Sequence, residues 1–165
     1  MTAAAGSAPR HLEDPSALLE HHFLQIRDAP PGNVLLSCAA VDFARCRGDW
    51  IGVVVTPWFI NVFLLPGGGD LWGDIPAGQR RYVDLPSGTV AFTAAEDPFI
   101  GPYQYSPLVE PVSAVPDMAA ALNIAHEVMR GIFPRPTSAP DVAQHESVVP
   151  VTTRRAFFRR LAGKR

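Results

Sequence analysis

Metal, thiol, nucleophile and phosphate chemistry each require particular residue types at particular spacings, and this sequence offers few of them. Its two cysteines, Cys38 and Cys46, are separated by seven residues. They form no Cys-x-x-Cys dithiol, and no histidine pair lies near enough to complete a zinc site. Free thiols in a reducing cytosol are therefore expected. A disulfide is conceivable only if the two fall on adjacent strands. The five histidines are scattered. His21 and His22 are neighbours and so face different sides of a helix, His126 stands alone, and His11 and His145 lie in terminal segments. Holding or delivering a metal requires several convergent ligands, so no metal and no cofactor is expected. Pro66-Gly67-Gly68-Gly69-Asp70 has neither the Lys-Ser/Thr of a phosphate-binding loop nor the G-x-G-x-x-G spacing of a dinucleotide site. Without a Gly-x-Ser-x-Gly elbow or an informative carboxylate pair, a hydrolase would have no activated nucleophile.

The elements that would position any site belong to one domain with tails, since 165 residues leave no room for a second core. Seventeen prolines and thirteen glycines keep elements short and favour a mixed fold over a helical bundle. All sixteen Asp and Glu lie at or before Glu146, whereas the last fourteen residues carry Arg154, Arg155, Arg159, Arg160, Lys164 and Arg165. The net charge of −2 therefore divides into −8 over residues 1–151 and +6 in the tail. An acidic body is unsuited to nucleic acid, whose phosphates need a basic face on the domain itself. The N-terminus has no apolar signal region. The most apolar run, Ile51 to Pro66, is interrupted and falls short of the ~20 residues a membrane helix needs.

Asp14-Pro15 followed by Leu19, Phe23 and Ile26 predicts a helix near 15–28 with a capped start. One strand is expected within 34–47. Two more, Trp50–Val55 and Phe59–Leu65, are rich in β-branched and aromatic residues and hinge at Thr56-Pro57-Trp58. Both faces of 59–65 are apolar, which marks a central, covered strand with Asn61 as a buried amide. Arg81–Leu85 and Thr89–Thr93 flank the turn Pro86-Ser87-Gly88. An extended stretch through Tyr103–Val112 is expected at a sheet edge or as a broken strand, because Pro107 and Pro111 cannot donate to a ladder. Pro116-Asp117 then opens a helix whose stripe is Met118, Leu122, Ala125, Met129 and Ile132. The expected architecture is α+β. An antiparallel sheet of about four to six strands has one helix before it and one after it, and a flexible basic tail follows. The boundaries are 1–13 for a flexible N-terminus, 14–133 for the domain, 134–151 for a linker and 152–165 for the tail.

The run from Gly48-Asp49-Trp50 through Thr56-Pro57-Trp58-Phe59 to Leu65-Pro66 resembles the signature of the HybE family of nickel-iron hydrogenase assembly chaperones, which includes HupJ and HoxT proteins. Leu85-Pro86-Ser87-Gly88, Gly101-Pro102-Tyr103-Gln104-Tyr105-Ser106-Pro107 and Arg154-Arg155-Ala156-Phe157-Phe158 resemble further family segments in the same order. The resemblance covers roughly residues 15–163. It implies a cytoplasmic, non-enzymatic chaperone of an exported uptake hydrogenase. Its partner would be chiefly the small-subunit precursor, with the large subunit as a further candidate. This chain has Tyr105 where some relatives have a cysteine, which weakens a thiol role there. Rubredoxin partners or fusions also accompany the family, but two cysteines cannot build a four-thiolate iron site.

Trp58, Trp72 and Tyr103 are the candidate partner-binding residues of the body, expected in one apolar patch, because aromatic anchors beside proline and glycine loops favour binding surfaces. Core packing is the competing role for the tryptophans. In the tail, Arg154, Arg155, Phe157 and Phe158 follow the order of a twin-arginine export motif, yet they stand at the wrong end of the chain to direct export. The tail is expected to imitate the partner's signal, either competing for the surface that reads that signal or folding back on the chaperone's own groove until the precursor displaces it, or else to serve only as a solvated basic extension. The rival function is a small-ligand or cofactor-binding module of the same pathway. An enzyme with an unrecognised site would need converging titratable groups.

Overall fold

The computed structural model describes residues 10–26 and 29–133. Two helices flank a six-stranded antiparallel sheet. The helix α1 (Ser16–Leu24) precedes β1 (Ala39–Cys46), β2 (Asp49–Val55), β3 (Ile60–Leu65), β4 (Arg80–Leu85), β5 (Gly88–Asp97) and β6 (Gly101–Pro107), and α2 (Met118–Ile132) closes the order. The strands run β1-β2-β3-β6-β5-β4 across the sheet. No helix among the described residues is long and apolar enough to cross a membrane.

Local chemistry sets each boundary. Asp14 accepts a hydrogen bond from the Ser16 amide at 2.9 Å as α1 begins, and Leu19 and Phe23 are its buried face. The helix ends at Leu24, short of the expected 28, and Ile26 is 37% exposed. Between β1 and β2 a two-residue turn places Arg47 at φ 51° and Gly48 at φ 89°, the doubly positive geometry that matches hairpin twist. The Thr56 hydroxyl accepts from the amides of Trp58 and Phe59 and so fixes the expected hinge between β2 and β3. At the β5–β6 turn, Asp97 accepts from the Phe99 and Ile100 amides in the side-chain-supported turn that aspartate favours. Asp117 caps α2 by accepting from the Ala120 amide at 2.8 Å.

The strands β2 and β3 are buried at every position, as the two-sided apolar pattern of 59–65 requires. Ile60, Val62 and Leu64 join α2 in one core, while Phe63 and Leu65 join Leu19 and Phe23 of α1 in another. The face of α2 that is buried comprises Ala121, Ala125, Val128, Met129 and Ile132. Met118 and Leu122 flank it instead of filling it.

The expectation for 103–112 requires correction. The strand β6 lies inside the sheet, paired with β3 on one side and β5 on the other. The prolines are accommodated because Pro102 and Pro107 sit near its two ends, with Tyr103, Gln104, Tyr105 and Ser106 between them. The strand of 34–47 forms only from Ala39 onward. Asn33 instead donates through its side chain to the Val112 and Val115 carbonyls and holds the preceding segment against the approach to α2.

Candidate functional site

The three strands β6, β5 and β4 alternate, apart from Ala91 of β5, which is buried although it lies on the side away from α2. Gln104, Ser106, Val90, Phe92, Ala94, Val83 and Leu85 are buried on the side that faces α2. Opposite them stand Tyr103, Tyr105, Thr93, Ala95, Arg80, Tyr82 and Asp84, which are partly or largely exposed. The register aligns them, with Thr93 between Tyr105 and Arg80, and Ala91 beside Tyr82. Among the described residues, helix α1 packs against β1 and leaves this half largely open, with Tyr103 and Tyr105 partly buried against the cluster that α1 forms with Phe63 and Ile100. A solvated antiparallel sheet face is ordinarily polar. This one carries all three tyrosines of the chain, Tyr82, Tyr103 and Tyr105.

The open half is continuous with the core. Phe63, 1% exposed, stacks on Tyr103 with centroids 4.8 Å apart, and Tyr103 meets Tyr105 at 6.2 Å. Phe59 stacks on Phe63 at 5.9 Å, and Phe23 meets both edge-on. His22 of α1 lies against Phe23 and stacks on Phe99, whose ring is 76% exposed. His22 Nε2 lies 2.9 Å from an Asp97 carboxylate oxygen, which ties α1 to the β5–β6 turn. Burial pushes the Tyr103 phenol above its ordinary range, and Asp97 and Tyr105 push it the same way. The phenol is therefore held neutral. Tyrosine suits an interface, since it combines an apolar body with one polar tip.

The three aromatics expected in one patch are not brought together. Tyr103 lies on the open face, while Trp72 packs against the core on the α2 side. Trp58 sits in the β2–β3 turn and donates from its indole to the Pro30 carbonyl at 2.7 Å. Trp72 donates from its backbone to Asp49 and from its indole to Asp74. Both indoles thus donate to acceptors of their own chain at exposed positions. Tyr82, Tyr105 and Phe99 were absent from the sequence-based candidates; the signal that finds them is the alternation of 80–85 and 103–107 once the register is known. Arg154, Arg155, Phe157 and Phe158 lie outside the described residues, as does His145.

The glycine run serves a structural purpose. Asp49, fully buried, accepts from the amides of Gly67 and Gly69 on one oxygen and of Leu71 and Trp72 on the other, at 2.8–3.0 Å. Those donors are consequently unavailable to a phosphate. A cleft of about 110 Å³ lies beside this loop, lined by Arg10, Asp49, Trp72 and Asp74 among others. It is small against the ~300 Å³ at which ligand pockets begin. No group of three or more His, Cys, Asp and Glu among the described residues is arranged to hold a metal ion.

Comparison with known proteins gives a consistent answer. The chain is 37% identical over 114 residues to "Hydrogenase expression/formation protein HupT" of Azotobacter chroococcum mcd 1, covering 68% of this chain and 69% of that protein. It is 31% identical over 109 residues to "Probable rubredoxin HupJ" of Rhodobacter capsulatus, covering 66% of this chain but 39% of that protein. The solution structure of HybE from Escherichia coli shares the fold, with a TM-score of 0.58 at 24% identity, over 83% of this chain and 88% of that one. The family model described as "[NiFe]-hydrogenase assembly, chaperone, HybE" matches residues 14–160, and the chain therefore belongs to the HybE family of nickel-iron hydrogenase assembly chaperones.

Proposed function

We propose that this chain binds the small-subunit precursor of a nickel-iron uptake hydrogenase in the cytoplasm before twin-arginine export, without catalysing a reaction. The observation that carries this reading is the open half-sheet, where three tyrosines form a surface that a monomeric domain has no need to leave uncovered. A chaperone requires only differential affinity, gripping the immature subunit and releasing it once cofactors or the large subunit dock. Rigid tyrosines continuous with the core lose little conformational entropy on contact, which favours reversible binding. The described residues carry six arginines against thirteen Asp and Glu, a balance that steers a basic signal region toward them.

Capture from cells making the hydrogenase tests this. The tagged full chain should retain the small-subunit precursor, and a Tyr82→Ala/Tyr105→Ala variant of unchanged thermal stability should lose most of it. Equal recovery by both would remove the open face from the interaction, and recovery of the large subunit alone would reassign the partner.

A further inference from the structure

The open aromatic face needs an occupant when no partner is bound, and the sequence holds one that suits it. We infer that the chain's own segment 152–165 docks on the face formed by Tyr82, Tyr103 and Tyr105, as a resident occupant that an incoming partner must displace. The docking itself stands on this chain alone; the displacement step rests on the function proposed above.

Three observations support this assignment. The first is chemical. The segment interleaves Phe157, Phe158 and Leu161 with arginines, and tyrosine faces attract both aromatic rings and guanidinium groups. The open face supplies such faces in Tyr82, 58% exposed, and in the partly buried Tyr103 and Tyr105. The second is charge. The described residues carry −7, from six arginines and thirteen carboxylates, and the segment carries +6. Asp84 and Asp97 stand on this same side of the sheet, two carboxylates against the one guanidinium of Arg80, by the pairing of Asp84 with Thr89, of Asp97 with Gly101 and of Arg80 with Thr93.

The third is reach. Helix α2 ends at Ile132, and the eighteen residues 134–151 connect the described domain to the segment. Extended, such a tether spans about 60 Å, more than the ~35 Å diameter expected of a domain this size. The segment can therefore reach the opposite face of the sheet, where tethering raises its effective concentration to the millimolar range or so. Weak contacts suffice at that concentration, and weak contacts are what an exchangeable occupant requires.

The three tyrosines also make the test selective, since every tyrosine signal reports on this face. The full chain is labelled with 3-fluorotyrosine and observed by fluorine NMR in the absence of any partner. Replacing Phe157→Ser and Phe158→Ser should move the Tyr82 and Tyr105 resonances. A synthetic peptide of residues 150–165 added to that variant should move them back, and raised salt should weaken the return. Resonances that stay put on substitution, together with a peptide that shifts nothing, would overturn the inference. Because the substitutions lie outside the described domain, a folding defect is not the expected cause of a shift; an unchanged thermal midpoint checks this. Capture of the hydrogenase subunit by the same variant is a separate measurement. Resonances that respond while neither protein captures a subunit leave the docking intact and refute the function, and the converse result does the reverse.

Discussion

The Phe63 and Tyr103 rings are diagonal neighbours across the β3–β6 pair and stack with planes 13° apart, so that one ring sealed in the sheet supports another at its surface. Stability and binding are thereby coupled at Tyr103 but separable at Tyr82. Tyr103→Ala removes a stacked pair and leaves a gap over Phe63, which should cost about 2–3 kcal/mol in denaturant unfolding. Tyr82→Ala, on an edge strand and largely exposed, should change stability by no more than about 0.5 kcal/mol. Partner capture should fall in both variants. A Tyr82→Ala protein that binds normally while Tyr103→Ala does not would mean that the Tyr103 effect is structural.

Asp49 predicts the behaviour of the whole glycine loop. An asparagine retains one acceptor oxygen but turns an N–H₂ group toward two backbone donors in a site closed to water. Asp49→Asn should therefore destabilise the domain by about 3 kcal/mol, read as a lower thermal midpoint. The Arg47–Asp70 pair, which joins the β1–β2 turn to this loop, is largely exposed at both ends, and Asp70→Asn should leave the midpoint where it is. A mild Asp49→Asn variant would mean that the loop amides find other acceptors.

How far the sequence disclosed these features depends on whether they are local. The hinge at Thr56, the helix start at Pro116-Asp117 and the buried strand 60–65 are each specified by residues within a few positions, and the structure has them where the sequence implies. The expectation for β6 fails because proline's effect on a ladder depends on which neighbours the strand acquires, and one of them, β3, lies some forty positions earlier in the chain. The tyrosine face is likewise a property of register, since Tyr82 and Tyr105 are joined only through Ala91 and Thr93 of β5. Gly67 and Gly69 were legible as a loop. That the loop closes on Asp49 was not, because the carboxylate stands eighteen or more positions earlier, at the start of β2, and meets the loop only through the β2–β3 register. Trp58 and Trp72 illustrate the remaining difficulty: an aromatic beside a proline or glycine reads alike whether its indole faces a partner or a carbonyl of its own chain.

The thiols should prove sluggish. Cys38 and Cys46 stand at opposite ends of the β1 segment, so the adjacent-strand arrangement a disulfide needs is absent, and both are free. Burial raises both thiols above their ordinary range, with Glu20 adding to the effect at Cys38. Alkylation of the native protein at neutral pH should be slower than that of a free cysteine peptide, and slowest at Cys46, which is buried. Mass spectrometry of the modified peptides over time checks the order. Fast labelling of Cys46 would mean that the end of β1 opens readily.

Acid should loosen the N-terminal strap before it affects the sheet. The segment around His11 is held by its amide on the Pro66 carbonyl and by its own carbonyl, which accepts from the Trp50 indole at 2.8 Å. Burial lowers the His11 imidazole below its ordinary range, a shift partly offset by a hydrogen bond to the Ile100 backbone. Nε2 is buried without a hydrogen-bond partner. A depressed folded-state value means that the strap's contribution is complete above the unfolded value of about 6.5 and is lost as pH falls through the folded one. Replacing His11→Phe should therefore remove the loss of thermal midpoint between about pH 7 and pH 5 that belongs to the strap, and Trp50 fluorescence should cease to follow pH over that range. If the variant retains the full acid dependence of the native chain, the titrating group lies elsewhere in the domain.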